Sequence, residues 1–173
     1  MINILVTAVG RGAGQAVIKS LRQSDLDIRI IGTDSDPWAT GLYAADKSYL
    51  CPMCSDPNFI PKILDICRRE GIKLIIPNID PELIVFAENK SEFKAIGVTV
   101  LISDPGTIKI CRNKLDTYRF FQAKNLPFVE TRLFIDMINH PEMTFPMFIK
   151  PIGVTGSSVI DILFRSAYLA KYA

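Results

Sequence analysis

The sequence predicts an α/β fold: a doubly wound parallel sheet over residues 1–111, followed by an incomplete α+β region over residues 112–173. First, the apolar runs are short and nearly continuous, as in strands that are buried on both faces of a parallel sheet. Second, helical segments alternate with these runs, which is the order of successive βα units. Third, this alternation stops after residue 111. Right-handed crossovers would then give a Rossmann-like sheet in the first region.

Five apolar runs are predicted to form the parallel sheet, and a glycine loop with the helical pattern QAVIKSLRQ (15–23) follows the first of them. The runs are INILVT (2–7), IRIIGT (28–33), KSYLCP (47–52), KLIIP (73–77) and VTVLIS (98–103).

Three Asp-Pro pairs are predicted to start helices between these strands. They are Asp56-Pro57, Asp80-Pro81 and Asp104-Pro105, and they are spaced 24 residues apart. Asp is a good N-cap residue, and Pro suits the first helical position because its missing N–H would have no intrahelical partner there. Gly71 and Gly97 are predicted to end two of the helices as C-caps.

The second region has a different pattern. The segment NKLDTYRFFQAKNLP (113–127) predicts a helix whose inward side chains are Leu115, Tyr118, Phe121 and also Phe120. The segments PFVETRLF (127–134) and TFPMFIKP (144–151) predict strands, and RSAYLAKYA (165–173) predicts a final helix. About 60 residues rarely form a core that is stable alone.

The composition indicates a folded protein with small-molecule partners. Hydrophobic residues make up 49% of the 173 residues, and the net charge is only +2, which is ordinary for a globular domain. The charges are spread evenly, without a basic stripe for nucleic acid or a polybasic segment for a membrane surface. We find neither a membrane-length apolar run nor a signal-peptide pattern. We therefore expect a cytoplasmic protein that binds no nucleic acid and no membrane.

The cysteines predict a reduced protein without a metal site. Four cysteines, among them the pair Cys51 and Cys54, are too few for a disulfide framework. A zinc site would need a second pair or nearby histidines, and the only histidine, His140, lies in a polar stretch. We interpret the thiols as buried or loop residues.

The loop GRGAG (10–14) is the first candidate site. It joins a strand to a helix, so its backbone N–H groups and the helix dipole would attract an anion to Gly10, Arg11 and Gly12. Asp34 ends the second strand, where a dinucleotide fold places its ribose acceptor. The third glycine of that fingerprint is replaced by Gln15, which disfavours a nicotinamide or flavin site. The alternative is that the glycines only form a tight turn and allow close helix packing.

The segment IPNIDPEL (76–83) is the second candidate, because Asn78, Asp80 and Glu82 follow the carboxyl end of a strand, where open α/β sheets bind ligands. Asp80 could instead serve only as a helix cap. A third candidate is FPMFIKPIGVTGSS (145–158), in which Lys150 precedes a loop of small residues. It differs from a Walker A loop, whose lysine follows the glycines. A solvated lysine beside a hairpin is the alternative.

Four stretches of the sequence resemble the N-terminal part of ATP-grasp proteins, in the group similar to the large subunit of carbamoyl-phosphate synthase. They are NILVTAVGRGAGQAVIKSL, IIGTDSDPWATGLYAADKSYLCP, LIIPNIDPELIVFAENKSEFKAIGVTVLISDPGTIKICRNKLDTYRFF and FPMFIKPIGVTGSS. The resemblance implies a Rossmann-like pre-ATP-grasp domain over residues 1–111, and the beginning of an ATP-grasp fold over residues 112–173.

The resemblance also implies roles for particular residues. Lys114 and Lys150 would contact the phosphates of ATP, and a loop that contains Gly153, Gly156, Ser157 and Ser158 would close over them. Gly10, Arg11, Gly12, Asp34, Asp80 and Glu82 would bind the substrate or another anion. Two glycines of the family's loop are replaced by Val154 and Val159 here, which would stiffen it.

The function implied by the resemblance is that of an ATP-dependent ligase. The complete enzyme would use ATP and Mg²⁺ to form an acyl phosphate from a carboxylate and pass the acyl group to an amine. The metal ligands would lie beyond residue 173, so we expect the chain to be inactive alone and to bind no cofactor tightly. An uncovered apolar face would favour a homodimer. The alternative is a Rossmann-like binding module that holds a small ligand or nucleotide without catalysis.

Overall fold

The computed structural model describes residues 1–138, 147–153 and 161–163 of the chain. The chain divides into two compact units, Met1–Ile108 and Lys109–Ala173. The sequence-based domain boundary after residue 111 stays a prediction. No helix in the described residues is long and apolar enough to cross a membrane.

The first unit contains a five-stranded parallel sheet with the order β3-β2-β1-β4-β5. The strands are β1 (Ile2–Val6), β2 (Ile28–Asp34), β3 (Lys47–Leu50), β4 (Leu74–Ile76) and β5 (Thr99–Val100). The chain proceeds from β1 to one edge of the sheet and then returns to build the other edge. This order confirms the predicted doubly wound, Rossmann-like fold. The last strand is shorter than its apolar run suggested.

Six helices accompany these strands. They are α1 (Gly12–Arg22), α2 (Gly41–Ala44), α3 (Phe59–Glu70), α4 (Asp80–Glu88), α5 (Lys90–Ala95) and α6 (Pro105–Arg112). Alternate residues of β1 point to opposite faces, and both faces are covered. Leu5 packs in one apolar cluster with residues of α3, whereas Ile4 packs in a second cluster with Ile18 of α1. The predicted two-sided burial of the central strands is confirmed.

Only one Asp-Pro pair starts a helix in the way that the sequence predicts. Helix α6 begins at Pro105, directly after Asp104. Asp56 is not the N-cap of α3, because its side chain accepts a hydrogen bond from the Asn58 N–H at 2.8 Å and forms a turn before the helix. Asp80 is itself the first residue of α4, and the N-cap residue of this helix is Ile79.

The predicted C-cap Gly71 is confirmed, whereas the C-cap of α5 is Ile96 and Gly97 is the next residue. Gly71 has a φ of 58° and follows α3 directly, and Gly97 has a φ of 74° and lies just after α5. Both are in the left-handed conformation that glycine adopts without strain.

A buried carboxylate, Glu70, ties together the amino ends of the strands. It accepts hydrogen bonds from Lys47 Nζ at 2.6 Å, from the Tyr49 hydroxyl and from Arg29 Nη1 at 3.1 Å. These donors, and the Lys47 hydrogen bond most of all, hold the pKa of Glu70 below its usual value. Glu70 is therefore a satisfied structural ion at the edge opposite the candidate site.

The second unit contains α7 (Lys114–Ala123), α8 (Phe134–Ile138) and an antiparallel pair, β6 (Met147–Ile149) and β7 (Asp161–Leu163). The side chain of Asn113 caps α7 by accepting from the N–H groups of Leu115 and Asp116. The predicted helix and the strand within residues 144–151 are confirmed. The final helix predicted for residues 165–173 lies outside the described residues.

Two predictions for the second unit are wrong. The inward orientation predicted for α7 is wrong for Phe120 and Phe121, which are 39% and 37% exposed, whereas Leu115 and Tyr118 are half-buried. Residues 127–133 form no strand, and Phe134 already begins α8. A strand needs a hydrogen-bonded neighbour, and the described part of the chain gives this segment none. Its apolar side chains, such as Val129 at 86% exposure, remain open.

Candidate functional site

The predicted site residues of the first unit gather around the turn that follows β1. The sheet order places the end of β2 on one side of this turn and the end of β4 on the other. The Val9 N–H donates to the Thr33 carbonyl, and the Thr7 N–H donates to the Ile76 carbonyl, both at 3.3 Å. The turn is thus held by the carboxyl ends of both neighbouring strands. Open α/β sheets bind their ligands at this edge.

Asp34 orients the glycine loop. Its Oδ2 accepts a hydrogen bond from the Gly10 N–H at 2.7 Å, and its Oδ1 accepts one from the Asp36 N–H at 3.0 Å. Both carboxylate oxygens therefore already accept backbone hydrogens. A role for Asp34 in binding a ligand stays a prediction.

The glycines of the loop have different functions. A Cβ atom on Gly14 would lie 2.6 Å from the Ala8 carbonyl oxygen, so a glycine there allows α1 to approach β1. A Cβ atom on Gly12 would meet nothing within 4 Å. Arg11, the N-cap residue of α1, is exposed and makes no capping hydrogen bond with its side chain. The first turn of α1 is therefore open to an anion, to which its free N–H groups would donate.

We expect Gly12→Val to weaken binding of inorganic phosphate at least tenfold, because the branched side chain would cover the first-turn N–H groups. The fold should survive, since the added Cβ has open space. Titration calorimetry with phosphate measures the effect. Gly106→Val is the matched control, because Gly106 is also exposed, helical and without a neighbour within 4 Å of its Cβ position. Equal phosphate affinities of Gly12→Val and the wild type would argue against an anion site here.

Glu82 lies on the other side of the turn and is buried, with 6% of its surface exposed. It accepts hydrogen bonds from the Thr7 hydroxyl and from the Asn78 backbone N–H. Burial raises the pKa of Glu82 to about 7, and the negative charge of Asp34 adds to this effect. The Asn78 side chain donates to the Thr7 and Ile76 carbonyls, both at 2.9 Å.

Sequence reasoning did not single out Thr7, although the residue is fully buried and joins Glu82 to the turn. A polar residue at the end of an otherwise apolar strand was the available signal. Asp80, which the sequence ranks with Glu82, is exposed. The structure therefore separates two carboxylates that the sequence treats alike.

The predicted phosphate-binding lysines both lie in the second unit. Lys114 begins α7, and its backbone N–H donates to the Ile152 carbonyl at 3.2 Å. Ile152 lies two residues after Lys150 in the sequence. Lys150 follows β6 and is exposed, as is Gly153. Gly156, Ser157 and Ser158 lie outside the described residues. The backbone hydrogen bond thus connects the start of α7 to the segment that carries Lys150.

Lys114 also lines a shallow groove of about 420 Å³. The rings of Tyr118 and Phe128 form part of it and meet edge to face, with centroids 5.2 Å apart. The other lining residues are Thr117, Phe121, Pro127, Val129 and Thr131. The groove combines one cation with an apolar surface.

The cysteines are all free thiols. Burial raises the pKa of Cys51 to about 11 and that of Cys67 to about 12, so both are protonated at neutral pH. Within residues 1–138, 147–153 and 161–163, no group of three or more His, Cys, Asp and Glu side chains is arranged to hold a metal ion.

Residues 4–101 match the family described as PylC-like, N-terminal domain. No curated protein matches the chain.

Three solved structures show the same fold at low sequence identity. A variant of Rhizobium etli pyruvate carboxylase with acetyl coenzyme A has a TM-score of 0.66 and 18% identity, over 99% of this chain and 16% of its own. The biotin carboxylase domain of Hydrogenobacter thermophilus 2-oxoglutarate carboxylase, with MgADP and bicarbonate, has a TM-score of 0.63 and 16% identity, over 92% of this chain and 37% of its own. An L-amino acid ligase from Bacillus licheniformis has a TM-score of 0.63 and 14% identity, over 96% of this chain and 40% of its own. The chain thus spans less than half the length of each structure.

Proposed function

The chain belongs to the PylC-like N-terminal domain family, and we propose that it forms the N-terminal part of an ATP-dependent ligase that joins a carboxylate to an amine. This membership, together with the fold of the solved structures, confirms the predicted resemblance to the N-terminal part of ATP-grasp proteins. The closer likeness to carbamoyl-phosphate synthase stays a prediction.

The observation that carries the proposal is the connection between the two lysines. Lys114 lines the groove in the second unit, and its backbone is hydrogen-bonded to the segment that carries Lys150. Two lysines on adjoining segments suit a triphosphate, because each ammonium group can donate several hydrogen bonds to phosphate oxygens. The aromatic side chains of the groove offer an apolar surface beside them.

In the complete enzyme, a carboxylate oxygen of the substrate would attack the γ-phosphorus of ATP, and ADP would leave. The amine would then attack the carbonyl carbon of the acyl phosphate, and inorganic phosphate would leave. Such catalysis depends on positioning and charge neutralisation, which suits lysines and an anion-binding loop better than a nucleophilic side chain. Mg²⁺ would neutralise further phosphate charge in such an enzyme.

The turn after β1 is our proposed site for the non-nucleotide substrate. Gly12 and Arg11 are exposed at the open first turn of α1 and would bind the carboxylate, whereas Asp34 and Glu82 hold the turn in place. The name of the Bacillus ligase, an L-amino acid ligase, supports substrates with both a carboxylate and an amine. A cytoplasmic location, which the free thiols favour, belongs to the same proposal.

We expect the 173-residue chain to bind ATP with a Kd weaker than about 1 mM and to show no ATPase activity. Exposed lysine–phosphate contacts contribute about 1 kcal/mol or less each, which is too little to offset the immobilisation of ATP. Calorimetry with and without Mg²⁺ measures the affinity. Micromolar, Mg²⁺-dependent binding by this chain would contradict the prediction.

A polypeptide extended along its own reading frame tests the ligase itself. There, Lys150→Ala should lower turnover about 100-fold or more, because a charge that stabilises the transferring phosphoryl group is lost in a closed site. Lys124→Ala, at the exposed end of α7, is the matched control and should leave turnover unchanged. Full activity of Lys150→Ala would refute the role of Lys150. A frame that stops at codon 173 would favour the binding module, whose open loop at Gly12 could hold an anion without catalysis.

A further inference from the structure

The turn after β1 contains a strained residue between two carboxylate anchors. Ala8 has a φ of 48°, in the left-handed region that side chains other than glycine seldom occupy, and it is 7% exposed. Such a conformation is costly for alanine and persists only where its surroundings hold it. On one side Glu82 accepts from the Thr7 hydroxyl, and on the other Asp34 accepts from the Gly10 N–H.

The anchor at Glu82 depends on charge. A carboxylate accepts hydrogen bonds about twice as strongly as a neutral group, and Glu82 accepts two, from Thr7 and from the Asn78 N–H. Both donors are neutral groups, a hydroxyl and a backbone amide. In the described part of the chain, Glu82 forms no ion pair that would offset its charge. The ionised form is the better acceptor, but two neutral donors do not offset the cost of burying its charge, so the observed conformation favours the protonated carboxyl group.

The ionisable groups that act on Glu82 do not offset its charge. Asp34, at the end of β2, is negative and disfavours the ionised form. Cys51, after β3, interacts electrostatically with Glu82 and is a neutral thiol at neutral pH, because burial raises its pKa to about 11. Lys62 of α3 interacts with the Cys51 thiol. The protonation state of Glu82 therefore changes near neutral pH, where its pKa of about 7 lies.

We propose that Glu82 is a protonation-dependent clamp on the strained turn: the buried, protonated carboxyl group holds Thr7 and the loop from Ala8 to Gly12 in the observed conformation, and ionisation loosens this hold because a charged carboxylate favours a conformation in which it reaches water. The clamp is a conformational device within the first unit. It does not depend on the identity of any ligand, so its test and the phosphate test at Gly12 can fail separately.

The experiment follows a ¹³C,¹⁵N-labelled 173-residue chain by NMR from about pH 5 to about pH 9. This range brackets the Glu82 pKa of about 7. The Glu82 carboxyl carbon and the amides of Ala8, Val9 and Gly10 should shift with one shared midpoint. This transition should be lost from the amides in Glu82→Gln and kept in Glu92→Gln, where the replaced glutamate is exposed. Amides that do not follow Glu82, or a transition that survives in Glu82→Gln, would overturn the proposal.

A second variant tests the strain. Ala8→Gly places a residue at position 8 that adopts positive φ without cost, so the loop should keep its conformation when the clamp weakens. The pH-dependent shifts of the Val9 and Gly10 amides should then be smaller than in the wild type, while the Glu82 carboxyl carbon still titrates. Shifts of undiminished size in Ala8→Gly would show that strain at residue 8 is not what the clamp opposes, and would overturn the proposal.

Discussion

Replacing Gly41 with alanine is expected to lower the free energy of unfolding of the first unit by about 3 kcal/mol or more, the upper range for overpacking a core. A Cβ atom on Gly41 would lie 2.0 Å from the Val9 carbonyl oxygen and 2.6 Å from the Val9 carbonyl carbon. These are backbone atoms, and the Val9 backbone is fixed by its hydrogen bond to Thr33. The clash can therefore be relieved only by moving α2 away from the turn.

Urea unfolding, followed by circular dichroism, measures the change. Gly12→Ala is the matched control, because its Cβ meets nothing within 4 Å and it also stands at the first residue of a helix. Alanine is preferred over glycine in helices by up to about 1 kcal/mol, so this control should be neutral or slightly stabilising. Equal unfolding midpoints for Gly41→Ala and the wild type would show that α2 does not pack against Val9 as described.

The second large effect is a dependence of stability on pH that comes from Glu82. Its pKa rises from the ordinary value of 4.5 to about 7 on folding, because the carboxyl group is buried. Between these two pH values the unfolded chain has released the proton and the folded chain has kept it. Stability from this group is therefore complete below about pH 4.5, falls as the pH rises to about 7, and is constant above; the loss is about 3 kcal/mol.

Glu82→Gln should remove this loss, because the amide stays neutral at every pH and its oxygen can still accept from Thr7. The measurement is the difference in unfolding free energy between wild type and variant from about pH 4 to about pH 8. Any effect of the amide on stability that does not depend on pH is constant over this range. The test is therefore how the difference in unfolding free energy changes with pH. Carboxyl groups with lowered pKa, such as those of Asp46 and Glu70, lose their contribution as the pH falls and cancel in the difference.

Glu92→Gln is the control for the charge change alone, since Glu92 is exposed. It should follow the wild type at all pH values. A wild-type-to-Glu82→Gln difference that stays constant between about pH 5 and about pH 8 would show that Glu82 titrates as an ordinary glutamate, against the burial described.

The strands were predictable because their burial pattern is local. Neighbouring residues such as Ile4 and Leu5 are both apolar, which already indicates a strand covered on two faces. The signal for the C-cap Gly71 is local in the same sense. The orientation of α7 was not predictable, because the exposure of Phe120 and Phe121 depends on which elements cover the helix, and hydrophobic periodicity does not contain that information.

The two buried glutamates show why the candidate site was predicted only in outline. Glu70 and Glu82 are both buried in helices, yet their pKa values shift in opposite directions. The difference lies in partners that are distant in sequence: Lys47 donates to Glu70, whereas the neutral Thr7 hydroxyl donates to Glu82. Proximity of Asp80 and Glu82 to a strand end could be predicted from sequence, but not which carboxylate is buried.

The central position of β1 also affects how the sheet assembles during synthesis. Of the five strands of this sheet, β1 leaves the ribosome first, and it pairs on one side with β2, which ends at Asp34, but on the other side with β4, at Leu74–Ile76. One edge of an apolar strand therefore stays unpaired while some forty further residues are translated. During that interval the nascent chain exposes a strand edge that a chaperone, or another nascent chain, can occupy.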